Sequence, residues 1–300
     1  MVSSDLKGVI VPVITPVDGE DRVDEPSFRK AIRFVIDAGV QGIFCGGSAG
    51  EGPLLTAREW TRMVEIAFAE CRGKVDLLGG AIDTSTARVI DKIKSLVAIG
   101  YRNIVVAPAF YLTTKSPEEH LRLFGAARDA CGDRELIAYN IPSCTNSEIA
   151  VETFRDMASR GWIHYCKESS GNMEYFNRLV RMGKDVGLKA FMGDENGIAE
   201  GLLNGACGIV PVCANYEPAT FIKAYQAGLR RDTVELAKQQ ARIGYVRERL
   251  CLGGISWVAG VKYAASSLGI GSGKPVSPLQ PAGAEQRKLI DAIATGARSA

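Results

Sequence analysis

Lys167 ends a short apolar run, Ile163-His164-Tyr165-Cys166-Lys167, and the turn-forming stretch Glu168-Ser169-Ser170-Gly171-Asn172 follows directly. Tyr139 ends another such run and leads into Asn140-Ile141-Pro142. An amine and a phenol aimed by neighbouring strands into one mouth are the raw material of imine chemistry. Most lysines point into water, and a lysine opening a loop can do the same. One enclosed by barrel walls instead loses hydration, its ammonium form is disfavoured, and the neutral amine can attack a carbonyl. A tyrosine beside it can pass protons among the carbinolamine, the substrate hydroxyl and water. A third stretch, Gly46-Gly47-Ser48-Ala49-Gly50-Glu51-Gly52, has glycines that let backbone N–H groups approach a ligand, plus the Ser48 hydroxyl. It suits a carboxylate, or serves simply as a tight turn into the helix beginning near Thr56. The chain has only His120 and His164, so histidine triads and histidine metal sites lack raw material. No metal and no organic cofactor is expected.

The elements that must position these groups repeat eight times. Apolar, β-branched runs at 8–17, 42–47, 75–82, 103–109, 136–142, 163–167, 189–193 and 208–212 read as strands. Between them lie segments such as SFRKAIRFVIDAG, AREWTRMVEIAFAECRG, TARVIDKIKSLVAIG and SPEEHLRLFGAARDACG, apolar at three- and four-residue spacing and often closed by Gly. Strands apolar on both faces and separated by helices imply a parallel sheet, and eight such units match a closed (β/α)8 TIM barrel, with an open doubly wound sheet as the alternative. The barrel is expected over residues 1–229. Three further helical patterns, ELAKQQARIGYVRERL, ISWVAGVKYAASSLG and AEQRKLIDAIAT, form a C-terminal helical extension over 230–300. The segment 271–281 contains Gly-Lys, but Pro275 stands where a phosphate loop needs Ser or Thr, so it reads as a loop.

With 36 basic and 34 acidic residues scattered along the chain, neither a nucleic-acid surface nor an anionic membrane is a natural partner, which leaves small molecules. The eight cysteines follow no CxxC or regular spacing and several sit in apolar runs, as reduced core thiols would. Cys166, beside the lysine, alternates toward the barrel wall and is expected to pack. The N-terminal MVSSDLKGVI lacks the basic and apolar regions of a signal peptide, and no apolar stretch reaches about 18 residues. A cytoplasmic location is expected.

The motifs GGSAGE (46–51), YNIP (139–142) and YCKESSGN (165–172), in that order on strands 2, 5 and 6, resemble the dihydrodipicolinate synthase/N-acetylneuraminate lyase superfamily of class I pyruvate aldolases. The likeness covers nearly the whole chain. It implies that Lys167 forms a Schiff base with a 2-oxo group, that Tyr139 is the proton shuttle, and that Ser48 and the N–H groups around Ala49 bind the carboxylate. Ser169, Glu195 and Asn196 resemble sugar-acid contacts of the neuraminate lyase branch, with Gly193 and Val210 lining the site at the ends of strands 7 and 8. Glu195 and Asn196 can equally cap the helix that follows. Three positions depart from the synthase pattern. Cys144 replaces an arginine that would hold a second carboxylate, which disfavours dihydrodipicolinate synthesis and favours neutral hydroxyaldehydes. Ala49 replaces a threonine. In the PxYY segment, whose first tyrosine can reach a neighbouring subunit's site, Phe110 is followed by Tyr111, so either Tyr111 substitutes as relay or Tyr139 and water suffice. The resemblance further implies a homo-oligomer, a dimer or tetramer. The substrates it implies are pyruvate, an aldehyde and the 2-oxo acid with a 4-hydroxyl that joins them. Retro-aldol cleavage, dehydration, deamination and cyclising condensation all pass through the same imine, and a non-catalytic 2-oxo-acid-binding regulator is the alternative of another class.

Overall fold

Eight short strands, β1 (Gly8–Pro12), β2 (Gly42–Cys45), β3 (Asp76–Gly80), β4 (Asn103–Val106), β5 (Glu135–Asn140), β6 (Tyr165–Glu168), β7 (Lys189–Met192) and β8 (Gly208–Ile209), pair in parallel and in chain order, with β8 returning to β1 to close a barrel. The computed structural model describes residues 5–251 and 256–296. The first four residues of the N-terminal stretch and Ile255, which opens the ISWVAG pattern, lie outside the described residues.

Helices α1 (Glu25–Asp37), α2 (Ala57–Cys71), α3 (Thr86–Ile99), α4 (Pro117–Cys131), α5 (Pro142–Thr145), α6 (Val151–Ser159), α7 (Met173–Val186), α8 (Ile198–Asn204) and α9 (Pro218–Arg230) ring the barrel. Several begin where the sequence supplies a side-chain cap: Thr56 accepts from Glu59 N, Ser116 and Glu119 form a capping box, and Asn172 accepts from Tyr175 N. The chain continues into α10 (Thr233–Leu250), α11 (Trp257–Ser267) and α12 (Ala284–Gly296). Among the described residues no helix is long and apolar enough to cross a membrane. Residues 271–281 form a loop.

Side-chain alternation sorts each strand into two cores. Leu136, Ala138 and Cys166 point outward into the layer between barrel and helices. Ile137, Tyr139 and Tyr165 point inward, where they pack with Phe44, Leu78, Val105 and Phe191. Lys167 is two residues after Tyr165 and therefore shares its inward face. Cys166 is a packing residue, as its place in the alternation implies.

All eight strands differ in their bounds from the apolar runs, most of them by stopping short, and hydrogen bonds account for two of the differences. β1 stops at Pro12 although the run continues to Val17, because Ile14 N donates to Asn215 Oδ1 at 3.0 Å and the chain leaves the sheet. Val13, Ile14 and Val17 stay buried all the same, so burial outlasts the strand. His164 precedes β6 rather than lying within it: its backbone N–H and Nδ1 are both taken by the Glu135 carboxylate, at 3.1 Å each.

Candidate active site

The β5–β6 register sets Tyr139 directly opposite Lys167, and the β6–β7 register sets Lys167 opposite Phe191. Lys167 is 7% exposed. Its Nζ stands 4.1 Å from the centroid of the Tyr139 ring and 5.2 Å from that of Phe44, with the two rings edge to face. Among the described residues no carboxylate forms a salt bridge with it. Burial therefore dominates and lowers the ammonium pKa to about 7, against weaker opposing charge effects from Cys144 and Glu195. Burial also raises the Tyr139 phenol above its ordinary range, partly offset by hydrogen bonding with the Ser169 and Ser48 hydroxyls. Tyr139 is therefore a phenol at neutral pH, placed among hydroxyls that can relay its proton.

The two strand ends are tied together beneath these side chains. Asn140 Nδ2 donates to Glu168 Oε1 at 3.2 Å, Ser170 N donates to the same oxygen at 2.6 Å, and Asn140 Oδ1 accepts from Ile149 N at 3.0 Å. The motifs contained Asn140 and Glu168, but this bracing role is visible only once β5 and β6 are adjacent. Gly193 is required by close approach: a Cβ there would stand 2.0 Å from Ser169 Oγ and 3.0 Å from Lys167 Cε.

At the end of β2 the chain turns through Gly46 at φ +76° and Glu51 at φ +53°. Among the described residues the N–H groups of Ser48, Ala49 and Gly50 donate to no protein acceptor, which leaves adjacent donors for an anion. The turn is braced from both sides. Thr15 Oγ1 donates to Gly50 O at 2.8 Å, and the Glu51 carboxylate accepts from Val276 N at 2.7 Å and pairs with the buried ammonium of Lys262 on α11.

One cavity of about 460 Å³ opens at this end of the barrel. Lys167, Tyr139, Ser48, Ala49 and Ser169 line it on the β2, β5 and β6 side, and Gly193, Glu195, Asn196 and Val210 on the β7 and β8 side. Two expected residues are not brought there. Tyr111 is 89% exposed, at φ +77°, and its side chain reaches no part of its own chain's cavity. Cys144 is exposed at the rim and, with Phe110, lines an adjoining apolar cleft. Glu195 lines the cavity, and its carboxylate is held from behind: its oxygens accept from Cys213 N at 2.8 Å and Cys213 Sγ at 3.1 Å.

The C-terminal helices supply residues that the sequence did not single out. Arg247 and Cys251 at the end of α10, and Trp257 at the start of α11, line the same cavity. Gln240 fixes α10 over the β7 end by donating to Glu195 O at 2.9 Å and accepting from Ala199 N at 2.8 Å.

Comparison with known proteins agrees with this geometry. The model of the dihydrodipicolinate synthetase family matches residues 5–297. A DapA-like lyase of Halobacterium salinarum is 30% identical over 96% of this chain and 92% of its own. N-acetylneuraminate lyase 2 of Escherichia coli is 26% identical over 97% and 94%. Among solved structures, YagE from Escherichia coli K12, a member of the dihydrodipicolinic acid synthase family in complex with pyruvate, superposes with a TM-score of 0.91 at 21% identity, over 98% of this chain and 99% of that one.

Proposed function

Since the chain belongs to the dihydrodipicolinate synthetase family, whose members are lyases, we propose that it is a class I carbon–carbon lyase that joins pyruvate to an aldehyde, or cleaves the resulting 4-hydroxy-2-oxo acid, through a Schiff base on Lys167. The observation that carries this reading is a buried amine that, among the described residues, forms no salt bridge, packed against the Tyr139 ring in a cavity that also contains N–H donors without a described protein acceptor.

The donors of Ser48 and Ala49 hold the carboxylate of the 2-oxo acid, which sets its C2 carbonyl before Lys167. The neutral amine adds to C2, and Tyr139 delivers the proton that lets the carbinolamine oxygen leave as water. In the cleavage direction Tyr139 then receives the proton of the 4-hydroxyl. The C3–C4 bond breaks, its electrons move into the protonated imine, and the aldehyde departs. The enamine takes a proton at C3, and water releases pyruvate and the free amine. Lys167 supplies the electron sink, so this reading calls on no metal or organic cofactor.

The exposed Tyr111–Leu112 pair supports a homo-oligomer in which Tyr111 serves a neighbouring chain, since Tyr111 is 89% and Leu112 81% exposed in one chain alone. The function is tested by following pyruvate release from a panel of 4-hydroxy-2-oxo acids. Wild type should release pyruvate and Lys167→Ala should not. Release that survives Lys167→Ala would place the nucleophile elsewhere.

A further inference from the structure

Helix α10 carries three arginines, and two are satisfied locally. Arg242 makes a two-pronged pair with Glu217 at 2.8 and 2.7 Å. Arg249 donates to Tyr245 O at 3.0 Å and lays its guanidinium 3.5 Å above the Tyr245 ring. Arg247 differs from both. It lines the Lys167 cavity, with Glu195 Oε2 at 3.7 Å and Asp194 Oδ1 at 3.9 Å, both beyond hydrogen-bond reach. Among the described residues its guanidinium donates to no protein acceptor, and the two carboxylates beside it, at ion-pair distance, also accept other hydrogen bonds. Glu195 takes both Cys213 donors, and Asp194 Oδ1 accepts from Asn196 N at 3.3 Å.

Its placement is not accidental to the helix. Gln240 clamps α10 to the β7 end through Glu195 O and Ala199 N, and Arg247 follows seven residues later, two turns on and on the same face. The cavity runs from the unused donors after β2, past Lys167 on β6, to this guanidinium beyond β7. A 2-oxo acid held by its carboxylate at the first end presents its far end to the second.

We propose that Arg247 receives a far carboxylate, so that the preferred substrate is a 4-hydroxy-2-oxo diacid, formed from pyruvate and an aldehyde that itself bears a carboxylate. This rests on the Schiff-base reading of the same cavity. A planar guanidinium fork matches a planar carboxylate two-to-two. Recognition of the far acid group therefore falls to the C-terminal extension rather than to position 144, where the exposed Cys144 offers no guanidinium fork.

The test compares kcat/KM for pyruvate release from five- and six-carbon 4-hydroxy-2-oxo acids that end in a carboxylate, their equal-length partners that end in a hydroxymethyl group, and a six-carbon phosphate ester. Wild type should favour the carboxylate ends by about 10- to 100-fold, chiefly through KM, the range of a charge-assisted hydrogen-bonded pair. Arg247→Met should remove that preference, and Arg247→Lys should keep part of it. If Arg247→Met does not fold, Arg247→Lys decides the matter by weakening the diacids more than the hydroxymethyl substrates. Preference of wild type for the hydroxymethyl or phosphate ends, or equal losses for both ends in the variants, would overturn the proposal. Borohydride trapping with pyruvate separates the two levels: a trapped wild type without diacid preference overturns only the role of Arg247, whereas an untrapped wild type overturns both readings.

Discussion

Tyr139→Phe separates the two things this residue does. The ring, 4.1 Å from Lys167 Nζ, helps keep water from the amine, and the hydroxyl, among Ser48 and Ser169, is proposed to move protons. Deleting one oxygen removes only the second. At the ordinary lysine pKa of about 10.4, roughly 4 amines in 10⁴ are neutral at pH 7. At about 7, half are. The enclosure is thus worth on the order of 10³ in reactive amine, and the variant should keep that gain. The assay is the rate of borohydride-trappable imine formation at limiting pyruvate from pH 5.5 to 9, beside the turnover of a 4-hydroxy-2-oxo acid. Imine formation should be slower in the variant, which lacks the proton donor for water loss, but in both proteins should rise about tenfold per pH unit below 7 and level off above it, while turnover in the variant falls by roughly 10²–10⁴. A midpoint displaced toward 9 or above in Tyr139→Phe would refute burial as the cause of the amine's reactivity, and unchanged turnover would move the proton shuttle to another group.

Lys167→Met should raise the melting temperature at pH 7 by at least about 2 °C, the shift that accompanies roughly 1 kcal/mol in a chain of this size. Because burial lowers the folded pKa, the unfolded chain binds more protons between about pH 7 and the ordinary lysine value, so wild-type stability should climb with pH through that window and the variant's should not. Lys262→Met strands the Glu51 carboxylate in the interior and should cost about 3–5 kcal/mol in denaturant melts, with Lys262→Met/Glu51→Gln recovering part; a loss below about 1 kcal/mol would mean the pair does not brace the turn. Gly193→Ala sets a Cβ against Ser169 Oγ and Lys167 Cε and should cut turnover far more than stability, as a thermal melt beside a rate assay would show. Light scattering at micromolar concentration should report a dimer or tetramer, and a monomer would remove any part for a neighbour's Tyr111.

Lys167 and Tyr139 were legible because both end apolar runs, and a strand's two-residue period in a barrel fixes which side chains face inward. The donor turn was legible because its glycines stand where β2 must stop. The orientation of Glu195 was not, since it depends on Cys213, which only barrel closure brings near. Arg247 was hidden for a similar reason: α10 reads as one more amphipathic helix, and its three arginines look alike until Gln240 clamps one face over the barrel mouth. Family motifs place Tyr111 and Cys144 near the site, but sequence order says nothing about whether a loop folds inward, and both lie outside the cavity. Strand lengths were overestimated at β1 because Val13, Ile14 and Val17 are buried under loops rather than in the sheet, and apolar character reports burial before it reports pairing.

The central claim is that Lys167 is the amine that forms the imine. Incubating the protein with pyruvate, reducing with borohydride, and mapping the modified peptide by mass spectrometry tests it most directly. One reduced pyruvate per chain is expected, attached at Lys167, with none in Lys167→Ala. Attachment at another lysine, or no adduct in the wild-type protein, would contradict it.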